Sequence, residues 1–145
     1  MDPQELAVRS TSAMWSKDRA SAALGMHIVS VNEGRSEVTM KVREDMINGH
    51  NMIHGGLVFS LADSAFALAC NSRNKASFAM SCNVDFIRPA VLGDTLTAVA
   101  EEKSVTRSSG YYEVTVTNQN DKIIAHFGGR SFSHGEPMIE TEEGQ

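Results

Sequence analysis

One carboxylate in the sequence lies inside an almost wholly apolar segment. Asp63 stands between Ala62 and Ser64 within residues 57–70, whose other members are nearly all apolar or small. Burial penalises a charged carboxylate, so such a group raises its pKa or finds a hydrogen-bond donor. In a cleft it is suited to act as a nucleophile or a general base. Two plainer interpretations stay open: Asp63 caps a helix that begins at Ser64, or it is solvated at the edge of a longer helix.

A histidine and a glycine pair precede this segment. His54-Gly55-Gly56 stands where the helix would begin, and glycine lets a ligand approach the backbone closely. The first N–H groups of a helix are unpaired and lie at the positive end of its dipole. Such groups can hold the oxyanion that forms when a thioester or ester carbonyl is attacked. The glycine pair alone indicates a plain turn, but together with His54 and Asp63 it favours a functional role.

The spacing between these two features restricts how they can work together. Gly55 and Asp63 are eight residues apart, which is about 12 Å along one helix. Reacting groups lie within ~3 Å of the atom that they act on, so both cannot serve the same carbonyl within one chain. A symmetric dimer would bring Gly55 of one subunit to Asp63 of the other. The spacing therefore predicts a homodimer with two shared active sites.

Other motifs add one candidate residue and exclude several kinds of chemistry. Asn48, before the helix, can hydrogen-bond from a loop, although Asn-Gly is also a common turn signature. His50 and His54 have i, i+4 spacing, but no cysteine or second carboxylate joins them, so we expect no metal site. The sequence has no GxSxG, GxGxxG or P-loop motif, so serine-hydrolase and nucleotide-cofactor chemistry is unsupported.

The elements that must position these residues belong to the α+β class. Helices and strands are segregated along the chain, which indicates a mostly antiparallel sheet. Residues 57–70 are apolar around the whole helix circumference and must be surrounded, so a sheet of five to six strands is predicted to wrap around one long central helix. Period-two alternation predicts the strands His27–Val31, Arg35–Arg43, Ser77–Pro89, Asp94–Val105, Tyr111–Thr117 and Lys122–Ser133. In the third of these, Met80, Cys82, Val84 and Phe86 share a face.

We divide the chain into three segments. Residues 1–25 form an N-terminal helical extension, which begins with an Asp2 cap and Pro3. Residues 26–134 form the domain of sheet and central helix. Residues 135–145 form an acidic tail that we expect to be disordered.

The composition argues against several kinds of partner. The 145 residues carry a formal charge of −5, and four of the glutamates lie in the tail. The rest of the chain is nearly neutral and lacks the basic block that nucleic-acid binding requires. No apolar run approaches the ~20 residues of a membrane span, and the N-terminus lacks the features of a signal peptide. We therefore expect a cytoplasmic protein with neither a nucleic-acid nor a membrane partner.

Five motifs together resemble one family. Over about residues 20–133, the chain is similar to hotdog-fold acyl-CoA thioesterases of the PaaI type, which belong to phenylacetate (phenylacetic acid) degradation. The motifs are Asn48-Gly49-His50, His54-Gly55-Gly56, Ser60-Leu61-Ala62-Asp63, Asp85-Phe86-Ile87-Arg88-Pro89 and Gly93-Asp94. The resemblance implies a hotdog domain at residues 26–134 and dimers that pair into a homotetramer.

The resemblance also implies roles for individual residues. Asp63 falls on the active carboxylate, as nucleophile or as base for water, and the N–H of Gly55 polarises the thioester carbonyl. His54 and Asn48 fall on positions that orient the thioester and water. Coenzyme A would lie in a groove between subunits as part of the substrate, with no separate cofactor. The residues expected to contact it are Gly56, Arg88, Pro89, Lys103 and Arg107.

The expected reaction is hydrolysis of (hydroxy)phenylacetyl-CoA, or of a similar aryl or medium-chain acyl-CoA, to the free acid and CoA. Two alternatives stay open. A hotdog acyl-CoA hydratase or dehydratase would pair His54 with a carboxylate for water addition, although Asp63 lies two helical turns away. A non-catalytic acyl-CoA binding protein would bind CoA without turnover.

Overall fold

The computed structural model describes residues 1–141. In chain order these residues form α1 (Pro3–Trp15), α2 (Arg19–Ala23), β1 (His27–Asn32), β2 (Arg35–Lys41), a 3₁₀ turn (Glu44–Met46), α3 (Gly55–Cys70), β3 (Ser77–Phe86), β4 (Thr95–Val105), β5 (Ser109–Thr117) and β6 (Ile123–Ser133). No helix in this range has the length and apolar character that crossing a membrane requires. No group of three or more His, Cys, Asp or Glu side chains in the same range is arranged to hold a metal ion.

The six strands form one antiparallel sheet in the order β1-β2-β4-β5-β6-β3. α3 packs on one face of this sheet, and its apolar side chains form a core with the inward-facing residues of the strands. The buried core includes Val58, Leu61, Ala62, Ala65, Phe66, Leu68 and Ala69 of α3 with Val38, Met40, Leu96, Ala98, Ala100, Val114 and Val116 of the sheet. The predicted α+β class, the sheet around one long helix and the N-terminal helix are confirmed.

The central helix approaches β6 closely at one glycine. A Cβ atom at Gly129 would lie 2.8 Å from the Phe66 ring and 3.0 Å from the Phe127 ring. The Phe66 ring also makes an edge contact with Tyr112, at a centroid distance of 5.5 Å. Since van der Waals contact cannot be this short, only glycine permits this packing distance.

The two N-terminal helices pack alongside α3. Ser10 on α1 donates to the carbonyl of Asn71, just beyond the C-terminal end of α3, at 3.2 Å. α2 is capped by Asp18 and reaches α3 through Ser21 and Ser64, whose hydroxyls are 2.8 Å apart. α1 thus contacts the C-terminal end of α3, and α2 contacts α3 at the residue next to Asp63.

β3 departs from the predicted alternation. A bulge shifts the register between Ala79 and Ser81, and Phe78, Met80 and Phe86 are 61%, 55% and 55% exposed. Met80 and Phe86 therefore do not contribute to a buried face within the protomer. β3 is last in the strand order, so one of its edges has no strand partner within residues 1–141.

The C-terminal segment makes hydrogen bonds with the residues that follow α3, as far as Ile139. Asn74 accepts hydrogen bonds from the N–H groups of Met138 and Ile139, at 2.8 and 2.9 Å, and donates to the Ile139 carbonyl. The N–H of Ala76 donates to the carbonyl of Glu136 at 2.7 Å. Side-chain and backbone groups of the segment after α3 thus contact residues 136–139, and the disorder expected for residues 135–145 stays a prediction. Residues 142–145 lie outside the described range.

Candidate active site

Asp63 lies on the third turn of α3, half-buried. Because α3 runs unbroken from Gly55 to Cys70, the interpretation that Asp63 caps a helix beginning at Ser64 is wrong. Its carboxylate has no hydrogen-bond partner within the described residues. Burial raises the pKa of Asp63, and the negative charge of Asp18 raises it further. The site therefore holds a carboxylate that no donor among residues 1–141 stabilises.

The Asp63 side chain borders a cavity of about 420 Å³. This volume lies within the roughly 300–1,000 Å³ typical of small-molecule sites. Most of its lining is apolar, contributed by Met14, Phe66, Ala67, Phe78, Ala79 and Met138. A carboxylate beside such a cavity is placed to act on an apolar molecule held inside it.

Gly55 is the first residue of α3, and its N–H has no partner within the described residues. The neighbouring N–H is occupied: Gly56 donates to Nδ1 of His54 at 2.9 Å. Since Nδ1 accepts, the ring nitrogen of a neutral His54 that carries the proton is Nε2. The structure thus leaves the N–H of Gly55, and not that of Gly56, available at the positive end of the helix.

A second cavity, of about 250 Å³, lies at this end of α3. Asn48, Gly55, Phe86, Arg88 and Pro89 are among the residues that line it. The structure therefore brings four of the sequence-predicted site residues to one place, with the exposed Phe86 ring beside Gly55.

Asn48 shapes the loop that borders this second cavity. Its side-chain oxygen accepts from the N–H groups of His50 and Met52, at 2.9 and 3.3 Å. The side-chain NH₂ group has no protein partner within residues 1–141. Asn48 is thus held in place through its oxygen, while its nitrogen stays available as a donor.

The basic residues predicted to contact CoA are not all near this cavity. Arg88 lines it and donates to the carbonyl of Ile123 at 3.1 Å. Lys103 lies on β4 and Arg107 lies in the turn after it, and neither lines the cavity of Gly55 or that of Asp63. Their contact with CoA stays a prediction, as does the binding role of Gly56.

Sequence reasoning missed three residues of the site: Asp18 beside Asp63, and Met14 and Met138 in the wall of its cavity. All three lie far from Asp63 along the chain, so no local spacing relates them. Asp18 could have been noticed as a helix-capping residue, and its side chain does accept a hydrogen bond from the Ser21 N–H at 2.9 Å. Neither methionine has a feature in the sequence that indicates a place in the site.

Comparison with known proteins agrees with this architecture. A family model of the thioesterase superfamily matches residues 50–125, the part that contains both Gly55 and Asp63. The acyl-coenzyme A thioesterase PaaI of Escherichia coli strain K12 is 46% identical over 123 residues, which are 85% of this chain and 88% of that protein.

Solved structures give the same result. The structure of the E. coli PaaI protein, from the phenylacetic acid degradation operon, matches with a TM-score of 0.92 at 43% identity, over 94% of this chain and 99% of that one. A Streptococcus mutans UA159 protein bound to acetyl-CoA matches with a TM-score of 0.75 at 27% identity, over 77% and 90% of the two chains. The chain therefore belongs to the thioesterase superfamily and has its hotdog fold.

Proposed function

We propose that this protein hydrolyses an aryl or medium-chain acyl-CoA, such as phenylacetyl-CoA or hydroxyphenylacetyl-CoA, to the free acid and CoA. The observation that carries the proposal is the half-buried carboxylate of Asp63, which has no hydrogen-bond partner among residues 1–141 and borders an apolar cavity. The E. coli relative is an acyl-CoA thioesterase from the phenylacetic acid degradation operon, which supports the substrate class and a role in phenylacetate breakdown. The S. mutans relative binds acetyl-CoA, which supports CoA as the part of the substrate that the fold holds.

The proposed reaction uses water and the protein's own groups, without a cofactor. The N–H of Gly55 stabilises the negative charge that develops on the thioester oxygen. Asp63 acts in one of two ways: it takes a proton from water, whose oxygen then attacks the carbonyl carbon, or it attacks that carbon itself and water cleaves the resulting anhydride. In both routes the C–S bond breaks, its electron pair stays on sulfur, and CoA leaves as a thiol or thiolate.

We further propose that the active site is shared between two chains. Within one protomer, Gly55 and Asp63 border different cavities, as the spacing of about 12 Å along α3 requires. The free edge of β3 and the exposed Phe78, Met80 and Phe86 offer an apolar surface for a second copy. Pairing of such dimers into a cytoplasmic homotetramer is the expectation that the family resemblance adds.

No specific observation favours the two alternatives. For a hydratase or dehydratase, His54 would need a carboxylate partner, and no carboxylate within residues 1–141 is hydrogen-bonded to its ring. Absorbance of an enoyl-CoA incubated with the protein distinguishes this reaction from hydrolysis. A non-catalytic binder would hold CoA without releasing thiol.

The decisive experiment replaces Asp63 by the isosteric Asn. We expect kcat for phenylacetyl-CoA, followed through thiol release, to fall at least about 100-fold, the lower range for losing a general base. Because burial raises the pKa of Asp63, its ionised form costs stability at neutral pH. The variant should therefore unfold at the same temperature as the wild type or above it. Near-wild-type hydrolysis in the folded variant would contradict the assignment of Asp63.

A further inference from the structure

The Asp63 cavity runs along α3 and has a defined length. Its lining continues from Asp63 through Phe66 and Ala67 to Cys70 and Asn71, beyond the end of the helix. At a rise of about 1.5 Å per residue, the distance from Asp63 to Cys70 is about 10 Å. A fully extended polypeptide advances about 3.6 Å per residue, which has three backbone bonds. An extended acyl chain therefore advances about 1.2 Å per bond. An acyl chain that starts beside Asp63 therefore reaches the far end after about eight bonds.

Met138 lies at this far end. Its backbone N–H donates to the side-chain oxygen of Asn74 at 2.8 Å, and Asn74 follows closely on the C-terminus of α3. The Ala76 N–H holds the carbonyl of Glu136, two residues before Met138, at 2.7 Å. These bonds hold the backbone of Met138 close to the segment that follows α3, and its half-buried side chain lines the cavity.

Asn74 is suited to bind this segment because of its backbone conformation. Its φ is +57°, a left-handed value that asparagine tolerates better than most residues. Its side chain then makes three hydrogen bonds with Met138 and Ile139. The Asn74 side chain therefore supplies three of the hydrogen bonds that hold the C-terminal segment, beside the backbone bond from Ala76 to Glu136.

The far end of the cavity offers little to a polar group. The side-chain amide of Asn71 is fully engaged: it donates to the carbonyls of Ala67 and Ser77, at 2.8 and 3.1 Å, and its oxygen accepts from the Ser77 N–H at 2.8 Å. A hydroxyl buried there would lose its bonds to water without full replacement. The far end of the cavity therefore suits the apolar end of an alkyl chain.

We propose that Met138, bound through Asn74, sets the longest acyl group that this enzyme accepts. The inference rests on the proposed hydrolysis of acyl-CoA and deepens it. Met138 and Met14, which contributes from α1, both lie outside residues 50–125, the part that the superfamily model matches. The catalytic groups thus come from the shared domain, while two flanking segments close the compartment for the acyl group.

The test compares kcat/KM for straight-chain acyl-CoAs of 4 to 14 carbons and for phenylacetyl-CoA. Met138→Ala removes the end wall, so the ratio of kcat/KM for dodecanoyl-CoA to that for octanoyl-CoA should rise about 10-fold, since one methylene in an apolar pocket is worth 10-fold or more. Met138→Trp should shift the preference the other way, towards butyryl-CoA. The result is read as a ratio between substrates, so a change in rate that is common to all acyl-CoAs does not affect it.

Two further variants distinguish the effect of the Met138 side chain from that of the hydrogen bonds by which Asn74 holds its backbone. Ile139→Ala changes the neighbouring residue, which does not line the cavity, and should leave the chain-length profile unchanged. Asn74→Gly keeps the left-handed backbone but removes the three hydrogen bonds, so it should shift the profile towards long chains, as Met138→Ala does. A folded, active Met138→Ala enzyme with the wild-type profile would overturn the proposal. A wild-type protein that hydrolyses no acyl-CoA would overturn the proposed function as well.

Discussion

Asp63 is held beside a second negative charge. Burial raises its pKa first, and Asp18 raises it further, while the neighbouring thiols of Cys70 and Cys82 stay protonated because their own pKa values are raised. A carboxylate with a raised pKa is a better proton acceptor. It acts only when ionised, however, so activity should be lost as the pH falls through its pKa.

The role of Asp18 can be measured in the pH profile. Asp18→Asn removes the charge but keeps a side-chain oxygen that can accept from the Ser21 N–H, so the cap of α2 is retained. Without the repulsion, the pKa of Asp63 falls, and the acid limb of kcat/KM should move to lower pH. An acid limb that stays in place in the folded variant would show that Asp18 does not act on Asp63.

The N–H of Gly55 can be removed without breaking the helix. Proline is favoured at the first position of a helix, and His54, with φ −62° and ψ 130°, already has the conformation that a following proline requires. Gly55→Pro should lower kcat about 100- to 1,000-fold, the effect of losing one oxyanion donor. Gly55→Ala is the control, since it keeps the N–H and makes the same first contact with Phe86, at 3.1 Å. Equal losses in the two variants would assign the effect to crowding.

At the scale of elements, the position of α3 depends on its distance from the sheet. Phe66, one turn after Asp63, sits directly against Gly129 of β6. α3 also packs on β2, β4 and β5, and Gly129 lets its Phe66 side come close to β6. The glycine in the strand thus supports the geometry of a residue on another element.

Gly129→Val tests this close approach. The added side chain would overlap the Phe66 and Phe127 rings, and overpacking of this kind typically costs about 1–3 kcal/mol of unfolding free energy. Urea unfolding measures the loss. Gly49→Ala is the control: its added Cβ meets nothing within 4 Å, so its effect should stay within about 0.5 kcal/mol. Equal stability of the two variants would contradict the packing argument.

At the scale of the whole molecule, the proposed shared site assigns each protomer two separate halves. The Gly55 half contains donors and an exposed Phe86, and the Asp63 half contains the carboxylate and the acyl compartment. β3 lies at the edge of the sheet and contributes lining residues to both, Phe86 to one cavity and Phe78 to the other. If two chains pair along β3, the Gly55 half of each chain would meet the Asp63 half of the other, which gives two complete sites.

Mixed dimers test the shared site. Chains with Asp63→Asn and chains with Gly55→Pro should each be inactive alone, but a mixed dimer contains one site with neither change. After equal mixing and refolding, activity should recover to about a quarter of the wild-type level, because half of the dimers are mixed and each has one intact site of two. The mixed species is verified with two different affinity tags. Verified mixed dimers without activity would place both groups in the same chain's site.

Much of the architecture follows from local patterns. The segment around Asp63 is rich in Ala, Leu and Phe and poor in β-branched residues, so its composition alone favours a helix, whatever packs against it. The alternation through Leu96, Ala98 and Ala100 likewise indicates a strand with one buried face. Such patterns repeat over a few residues, so they can be recognised without knowing which parts of the chain pack against them. The alternation failed at Met80, where a bulge inserts an extra residue opposite β6.

The sequence by itself determined the elements, their class and the residues able to do chemistry, because residue type and short-range spacing encode these. Only the tertiary structure decided what surrounds Asp63: the charge of Asp18, the wall formed by Met14 and Met138, and the attachment of the C-terminal segment to Asn74. These contacts join positions far apart along the chain. Their free energy depends on hydrogen bonds and packing that exist only once the sheet and α3 have assembled, so no local pattern records them.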